Sequence, residues 1–197
     1  PMIRDMFACS GKKLEDVDAI AVSVGPGSFT GLRIGIAAAK GLAWAGGKPC
    51  IAVSTLEAMA EQIAFAEGII CCGMDARRGQ VYNALFESKG GKPQRLTQDR
   101  AISLEELGNE LKDEKKSIIT IGDGASLCYN HLKDNGLDVF KAPQNLIMQS
   151  AEGVLLAAQR LFEEGKTVSC SELEPNYLRL SQAERERLEK IQSAGKL

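Results

Sequence analysis

The sequence predicts an α/β protein of two units, residues 1–67 and 68–197. Short β-branched runs at residues 19–24 and 50–54 have the length of buried strands, and helical spacing of apolar residues follows each of them. Alternating strands and helices with short connections are typical of an α/β unit. From residue 68 the order changes to strands that follow one another directly, which indicates the start of a second unit.

The first unit is predicted to run helix, strand, helix, strand, helix. Its opening helix ends at Gly11, and its second helix covers about residues 29–45 and is followed by two glycines. Ser54 or Thr55 caps a third helix over residues 56–66. Because a helix begins at once and no initiator Met precedes it, we expect that this sequence has lost residues upstream.

The second unit is predicted to open with a hairpin and a third strand. Ser103 and Glu106 form a capping pattern for the helix that follows. Alternating charges at residues 183–190 are typical of a solvated helix. The predicted strands cover residues 69–74, 80–87, about 95–102, 118–121 and 138–141, and the predicted helices cover residues 103–112, 125–135, 150–164 and 183–190.

Composition and charge exclude several classes of protein. A hydrophobic fraction of 44% can offset the entropy of ordering, which excludes a disordered chain. The 24 Lys+Arg against 26 Asp+Glu leave no positive excess for gripping nucleic acid alone. No apolar run reaches the length of a membrane span, and no secretory signal is visible, so we expect a cytoplasmic protein. Six cysteines without CxxC spacing and a single histidine predict buried thiols and no metal site.

The most distinctive segment is the Gly-rich turn, residues 25–31, between a predicted strand and a predicted helix. Free backbone N–H groups and the helix dipole favour an anion at such a place. The turn matches neither GxxxxGK[ST] nor GxGxxG, so it indicates neither a P-loop nor a dinucleotide site. The alternative is a purely structural turn in which Ser28 or Thr30 caps the helix. Two arginines in the turn of the predicted hairpin, Arg77 and Arg78, could also bind an anion, and for them the alternative is a solvated turn. The candidate anion or nucleotide contacts are Gly25, Gly27, Ser28, Thr30, Arg77 and Arg78.

The second helix carries a stripe of small residues at spacing four, which allows another helix to approach closer than the usual separation of about 8–10 Å. A helix that is apolar nearly all round must be covered on more than one side, by its own sheet or by another subunit. Trp44 is expected in the core or at an interface. The residues predicted to form an intersubunit helix bundle are Met2, Met6, Phe7, Gly31, Leu32, Gly35, Ile36, Ala39 and Ala43.

Four separated motifs indicate a family. They are GPGSFTGLRIG at residues 25–35, VSTL at residues 53–56, DARRGQVY at residues 75–82 and EPNYLR at residues 174–179. In this order, and over nearly the whole chain, they closely resemble the TsaB (YeaZ) family. The resemblance implies an actin-like (ASKHA, ribonuclease H-like) fold of two related lobes. The first lobe lacks its opening strands in this sequence, and we expect it to be truncated or completed by another molecule.

The resemblance also implies a function, which is that of a non-catalytic scaffold and activator in making threonylcarbamoyladenosine next to the anticodon of tRNA. The implied partners are a catalytic TsaD-like paralogue, paired through the first-lobe helices, and a TsaE-like ATPase. A homodimer is expected in isolation, and tRNA is expected to be contacted only through the complex. The paralogue's metal ligands are two histidines on its first helix, and residues 1–9 contain none. We therefore expect no catalytic residue and no metal, with ATP or ADP only in the complex.

The alternative function is a free-standing actin-like nucleotide enzyme, a kinase or an ATPase. In that case the Gly-rich turn and Asp75 would face a cleft between the lobes. Such an enzyme needs a carboxylate on its opening strand to hold magnesium, and this sequence does not include that strand. Residues 175–179 are expected to form an extended arm that could lie against a partner.

Overall fold

The computed structural model describes residues 2–179, and its first part alternates helices and strands as predicted. A short 3-10 helix, Leu14–Asp16, precedes the first strand. Ser54 is the N-cap of the third helix, since its side chain accepts a hydrogen bond from the backbone N–H of Glu57. The elements are α1 (Met2–Ser10), β1 (Ile20–Gly25), α2 (Phe29–Gly46), β2 (Cys50–Ser54) and α3 (Thr55–Gln62).

The second part begins with strands and continues with alternating helices and strands. The predicted capping box of its first helix is confirmed, because Ser103 and Glu106 bond each other's backbone N–H groups. The predicted helix at residues 183–190 lies outside the described residues. The elements are β3 (Gly68–Asp75), β4 (Gln80–Lys89), β5 (Lys92–Arg95), β6 (Arg100–Ser103), α4 (Leu104–Leu111), β7 (Ile118–Ile121), α5 (Ala125–Asp134), β8 (Val139–Lys141) and α6 (Ala151–Glu163).

Two predicted elements differ from the structure. The third helix was predicted to reach residue 66, but α3 ends at Gln62, because the next N–H turns back to nearer carbonyls, Ala60 O and Glu61 O. The single strand predicted near residues 95–102 is two strands, β5 and β6, which pair with different halves of β4. Between them the Thr97 hydroxyl, rather than a strand carbonyl, accepts the hydrogen bond from the N–H of Leu85.

The strands form two sheets. β1 and β2 pair in parallel, with Ile20 opposite Cys50 and Gly25 opposite Ser54. The larger sheet has the order β5-β4-β3-β7-β8, with β6 also paired to β4. Within it β3 and β4 form an antiparallel hairpin, whereas β7 and β8 run parallel to β3 and to each other.

Helices cover both faces of each sheet. On the small sheet, Ile36 and Ala39 of α2 pack on one face and Ala158 of α6 packs on the other. On the large sheet, Leu56 of α3 packs on one face, and α4 and α5 cover the opposite face around Leu132. α6 also packs along α3, and an antiparallel bridge joins Cys50 to Val168. The last helix of the described chain therefore completes the packing of the small sheet.

The contact between α3 and α6 depends on a glycine. A Cβ atom on Gly153 would lie 2.2 Å from the backbone oxygen of Ala58, so the two helix backbones approach at this point too closely for any side chain. We expect Gly153→Ala to lower the free energy of unfolding by about 2 kcal/mol, because one of the helices must shift. Urea unfolding followed by circular dichroism measures this change.

A matched control is Gly41→Ala, in the middle of α2. A Cβ atom there meets nothing within 4 Å in the same chain, so in the unpaired chain, at a protein concentration too low for pairing, the substitution adds only helix propensity and is expected to stabilise the fold by up to about 1 kcal/mol. If both substitutions changed the free energy of unfolding alike, the close approach at Gly153 would not be what limits that position.

Candidate functional site

The carboxyl ends of β1 and β2 bring two helix N-termini to one edge of the small sheet. The register places Gly25 opposite Ser54, so the Gly-rich turn and the start of α3 are neighbours. Ser28 caps α2, since its hydroxyl accepts a hydrogen bond from the N–H of Gly31 at 3.4 Å, which decides between the two predicted caps. Ligand sites in α/β proteins commonly lie at this edge of a sheet.

The Gly-rich turn is contacted by the chain's own C-terminal arm, which we define as residues 175–179. The N–H of Asn176 donates to the carbonyl of Val24 at 2.7 Å. A Cβ atom on Gly25, whose φ is +129°, would lie 2.6 Å from the carbonyl oxygen of Asn176. Glycine is therefore required at this position by the passage of the arm. The predicted anion contacts Ser28 and Thr30 remain exposed beside it.

The side chains of the arm reach both parts of the protein. The ring of Tyr177 stacks on that of Phe29, with centroids 4.7 Å apart, and its hydroxyl accepts a hydrogen bond from Arg33 Nε at 2.9 Å. Arg179 donates to the carbonyl of Ala76 at 2.6 Å and lies over the ring of Tyr82. The extended arm, for which contact with a partner was one alternative, thus lies on its own chain.

The two candidate arginines lie at the tip of the β3–β4 hairpin. Arg77 and Arg78 are exposed, and both have left-handed backbone, with φ of 67° and 55°. The carboxylate of Asp75 accepts the N–H of Arg77 at 2.7 Å, which makes Asp75 a turn residue here. Non-glycine residues in this region are strained, a condition common at functional sites. Since Arg179 binds Ala76, the arm links this tip to the Gly-rich turn.

A cavity of about 340 Å³ lies between the two sheets, beside the Gly-rich turn. Val24 and Ser54 line it from the ends of β1 and β2, and Leu178 lines it from the arm. Its volume is within the range of small-molecule sites. Charged side chains also line it, but they bind one another.

These charged side chains form an ion cluster around Arg95. One side of the guanidinium is 3.0 Å from Glu57, and the other is 2.7 Å from Asp99. Ser54 donates to Asp99 at 2.6 Å, and Arg95 lies over the ring of Phe86 at 4.6 Å. Burial alone would lower the pKa of Arg95, but the hydrogen bonds and charges of the two carboxylates raise it, so Arg95 stays charged.

The ion cluster continues to α6. Glu57 also pairs with Arg160, which is 3.1 Å from Glu61 and 3.1 Å from Glu164. The side chain of Glu57 is 16% exposed and that of Asp99 is 7% exposed, so these two carboxylates are largely shielded from solvent. Sequence analysis missed it, apart from the capping role of Ser54. The contacts of Glu57 with Arg95 and Arg160 span 38 and 103 residues, which no local pattern signals.

The predicted pairing residues of α2 divide between two faces. Leu32, Ile36, Ala39 and Ala43 are buried, and the last three pack against the small sheet, so a partner cannot reach them. Gly35 is half-buried, 3.8 Å from Val22 at its Cβ position, whereas Gly31 is exposed. The sheet covers Ile36, Ala39 and Ala43, although the opposite face also carries large apolar side chains, Ile34 and Trp44.

The opposite side of α2 is an exposed face of uncharged residues, with the exposed Arg33 at its edge. Trp44 is 80% exposed and Ile34 is 66% exposed. Gly41 lies at the middle of the face, open to solvent. We call these residues the exposed α2 face: Thr30, Ile34, Ala37, Ala38, Gly41, Trp44 and Ala45.

α1 is also apolar and exposed on one side. Met2 and Met6, both predicted to pair, are exposed, and Phe7 is half-buried. The helix contains no buried residue. A helix of nine residues gains little stability by itself, so its apolar side needs a surface to pack against.

The cysteines behave largely as small apolar residues. Cys50, Cys71, Cys72 and Cys128 are buried, whereas Cys9 is exposed and was therefore wrongly expected in the core. Burial raises the pKa of Cys72 well above its usual value. Within residues 2–179, no group of three or more His, Cys, Asp or Glu side chains is placed to hold a metal ion. No helix in the same range combines the length and hydropathy needed to cross a bilayer.

Comparison with known proteins places this chain among relatives that match most of its length. The family model described as "TsaD: tRNA N6-adenosine threonylcarbamoyltransferase" matches residues 1–187. The tRNA threonylcarbamoyladenosine biosynthesis protein TsaB of Escherichia coli strain K12 is 35% identical over 182 residues, covering 91% of this chain and 78% of that protein. The protein of the same name from Bacillus subtilis strain 168 is 33% identical, covering 86% of this chain and 73% of that protein.

Solved structures agree with this assignment. The structure of YeaZ from Pseudomonas aeruginosa superposes with a TM-score of 0.78 at 27% identity, covering 90% of this chain and 81% of that one. This match confirms the α/β, actin-like fold that the motifs implied. The family model matches most of this chain, and the chain covers more than two thirds of each TsaB protein. The chain therefore belongs to the TsaB (YeaZ) family.

Proposed function

We propose that this chain is a non-catalytic subunit in the biosynthesis of threonylcarbamoyladenosine on tRNA, and that it acts by pairing with a TsaD-like paralogue. The exposed α2 face carries this proposal. An 18-residue helix whose exposed residues are mostly apolar, with Arg33 as the exposed charged residue, is typical of a helix that another surface covers.

The shape of the exposed α2 face favours another helix as the covering surface. Gly41 and the neighbouring alanines leave the backbone accessible, so a second helix can approach closely. Ile34 and Trp44 flank this shallow strip and supply apolar anchors, of which Trp is a frequent hot-spot residue. α1 adds Met2 and Met6 as further exposed apolar surface.

A paralogue is a suitable partner because related chains can pair about a pseudo-twofold axis, with equivalent helices facing each other. The TsaD-type family model matches residues 1–187 of this chain, which supports a common ancestry of the two subunits. A tRNA N6-adenosine threonylcarbamoyltransferase from Solidesulfovibrio magneticus is 42% identical over 114 residues, covering 57% of this chain and 28% of that protein. In isolation the same face would form a homodimer.

The cavity between the two sheets supports a structural rather than a catalytic role. Glu57 and Asp99, its shielded carboxylates, are engaged with arginines and with Ser54. The Gly-rich turn is contacted by the arm, and Asp75 holds a hairpin turn. We therefore assign catalysis to the paralogue, with a TsaE-like ATPase joining the complex. Contact with tRNA is indirect, and the proposed location is the cytoplasm.

The experiment is threonylcarbamoyl transfer to tRNA by the TsaD and TsaE proteins of the same organism, with and without this chain. We expect transfer to depend strictly on its addition and a mixed complex to form in size-exclusion chromatography with mass measurement. Equal transfer without the chain would contradict the proposal. ATP hydrolysis by the chain alone should not exceed the buffer rate, and turnover that survives further purification would favour a kinase or an ATPase.

A further inference from the structure

The C-terminal arm bridges the two sheets within four residues. At one end, the N–H of Asn176 binds the carbonyl of Val24, at the end of β1 in the small sheet. At the other end, Arg179 binds the carbonyl of Ala76, in the turn between β3 and β4 of the large sheet. The position of the arm therefore depends on both sheets and links one to the other.

The surface on which the arm lies fits it closely. Gly25 has no side chain where the carbonyl of Asn176 passes, 2.6 Å from the Cβ position. Tyr177 meets two residues of the first turns of α2, through the ring of Phe29 and the guanidinium of Arg33. The arm therefore occupies a defined position on the protein, because main-chain, ring and guanidinium contacts hold successive residues of it.

The same contacts are few and lie at the surface. Tyr177 is 37% exposed, and the arm has one main-chain hydrogen bond to β1. Segments with few buried apolar contacts open at a smaller free energy than the whole protein does. Asn176 and Leu178 line the cavity beside Ser54, so lifting the arm would open both the cavity and the Gly-rich turn.

We propose that residues 176–179 are a reversible latch, which when seated holds the end of β1 to the β3–β4 turn and closes the cleft between the sheets. When the latch is released, the Gly-rich turn and the cavity become accessible together. The latch is a property of the isolated chain, and it does not rest on pairing with another subunit.

The test is amide hydrogen exchange, followed by NMR, on the chain and on the double variant Tyr177→Ala with Arg179→Ala. The reporter amides are bonded in the structure: Gly31 and Leu32 at the turn, and Ala76 and Gln80 in the hairpin. We expect exchange at both places to become about 10-fold faster or more, because the latch no longer holds them. Exchange in β7 should not change.

Two further variants separate the latch from general destabilisation. Tyr129→Ala removes a tyrosine that also contacts a cation, Lys141, but lies on α5, and it should leave the turn and hairpin amides unchanged. Arg179→Met removes the hydrogen-bond donor at one end of the latch, and this single variant should raise exchange at both ends, which keeps the test valid if the double variant unfolds. Unchanged exchange at the turn, or faster exchange at one end alone, would overturn the proposal.

Discussion

Ala37→Glu is expected to weaken pairing of this chain at least about 100-fold, equivalent to about 2.7 kcal/mol of binding free energy. Ala37 lies on the exposed α2 face, where a helical partner would leave no water around the new carboxylate. Burying a charge without a partner costs several kcal/mol, and in a homodimer two such charges would face each other. Analytical ultracentrifugation of the chain alone and titration against the TsaD-like paralogue measure the change.

The control for Ala37→Glu is Leu155→Glu, which places the same charge on an exposed apolar position of α6. Neither substitution alters a buried contact, so both variants should unfold at nearly the temperature of the unaltered chain. Pairing lost in both variants would indicate that added negative charge disfavours association generally. Pairing retained in Ala37→Glu would show that the exposed α2 face is not the interface.

The elements of the fold could be predicted because their signals are local. Ser103 and Glu106 are three residues apart, and their reciprocal hydrogen bonds depend on no distant part of the chain. β1 and β2 are short β-branched runs, bounded by residues that end a strand. The end of α3 was predicted wrongly because residues 63–66 are apolar and continue the helical pattern of α3. Only the structure shows that the chain turns there.

The orientation of α2 could not be predicted, because its two faces are alike in composition. Small residues recur at Gly31, Gly35 and Ala39, and equally at Ala37 and Gly41 on the other side. The sheet covers the face that carries Leu32 and Ile36, although Ile34 and Trp44 on the other face are no smaller. Tertiary packing determines which face is covered, and the periodicity of one helix gives no information about it.

The arm and the ion cluster show the same limit in the candidate site. The motif at residues 174–179 indicated an extended segment, but its contact with the Gly-rich turn joins residues separated by most of the chain. Ser54 was recognised as a cap, whereas its bond to Asp99 spans 45 residues. Such pairs are fixed by which strand ends meet, and that follows only from the sheet order.

The ion cluster leads to the second large prediction, which concerns stability. Arg95→Met should lower the free energy of unfolding by about 3 kcal/mol, because it leaves the shielded carboxylate of Asp99 with only the hydroxyl of Ser54. Methionine keeps a flexible apolar stem beside the ring of Phe86, so packing is largely preserved. For a chain of this length we expect a melting temperature roughly 9 °C lower. Urea unfolding and calorimetry measure both quantities.

Two further variants test whether the effect of Arg95→Met arises from charge. Lys116→Met breaks the exposed pair with Glu87 and should leave stability unchanged within experimental error. Asp99→Asn, added to Arg95→Met, removes the carboxylate that has lost its partner, and it should restore part of the stability rather than add to the loss. If the double variant instead lost as much free energy of unfolding as the two single variants together, each side chain would contribute packing alone. The cluster would then be a consequence of how β2, α3 and α6 meet, rather than one of the contacts that hold them together.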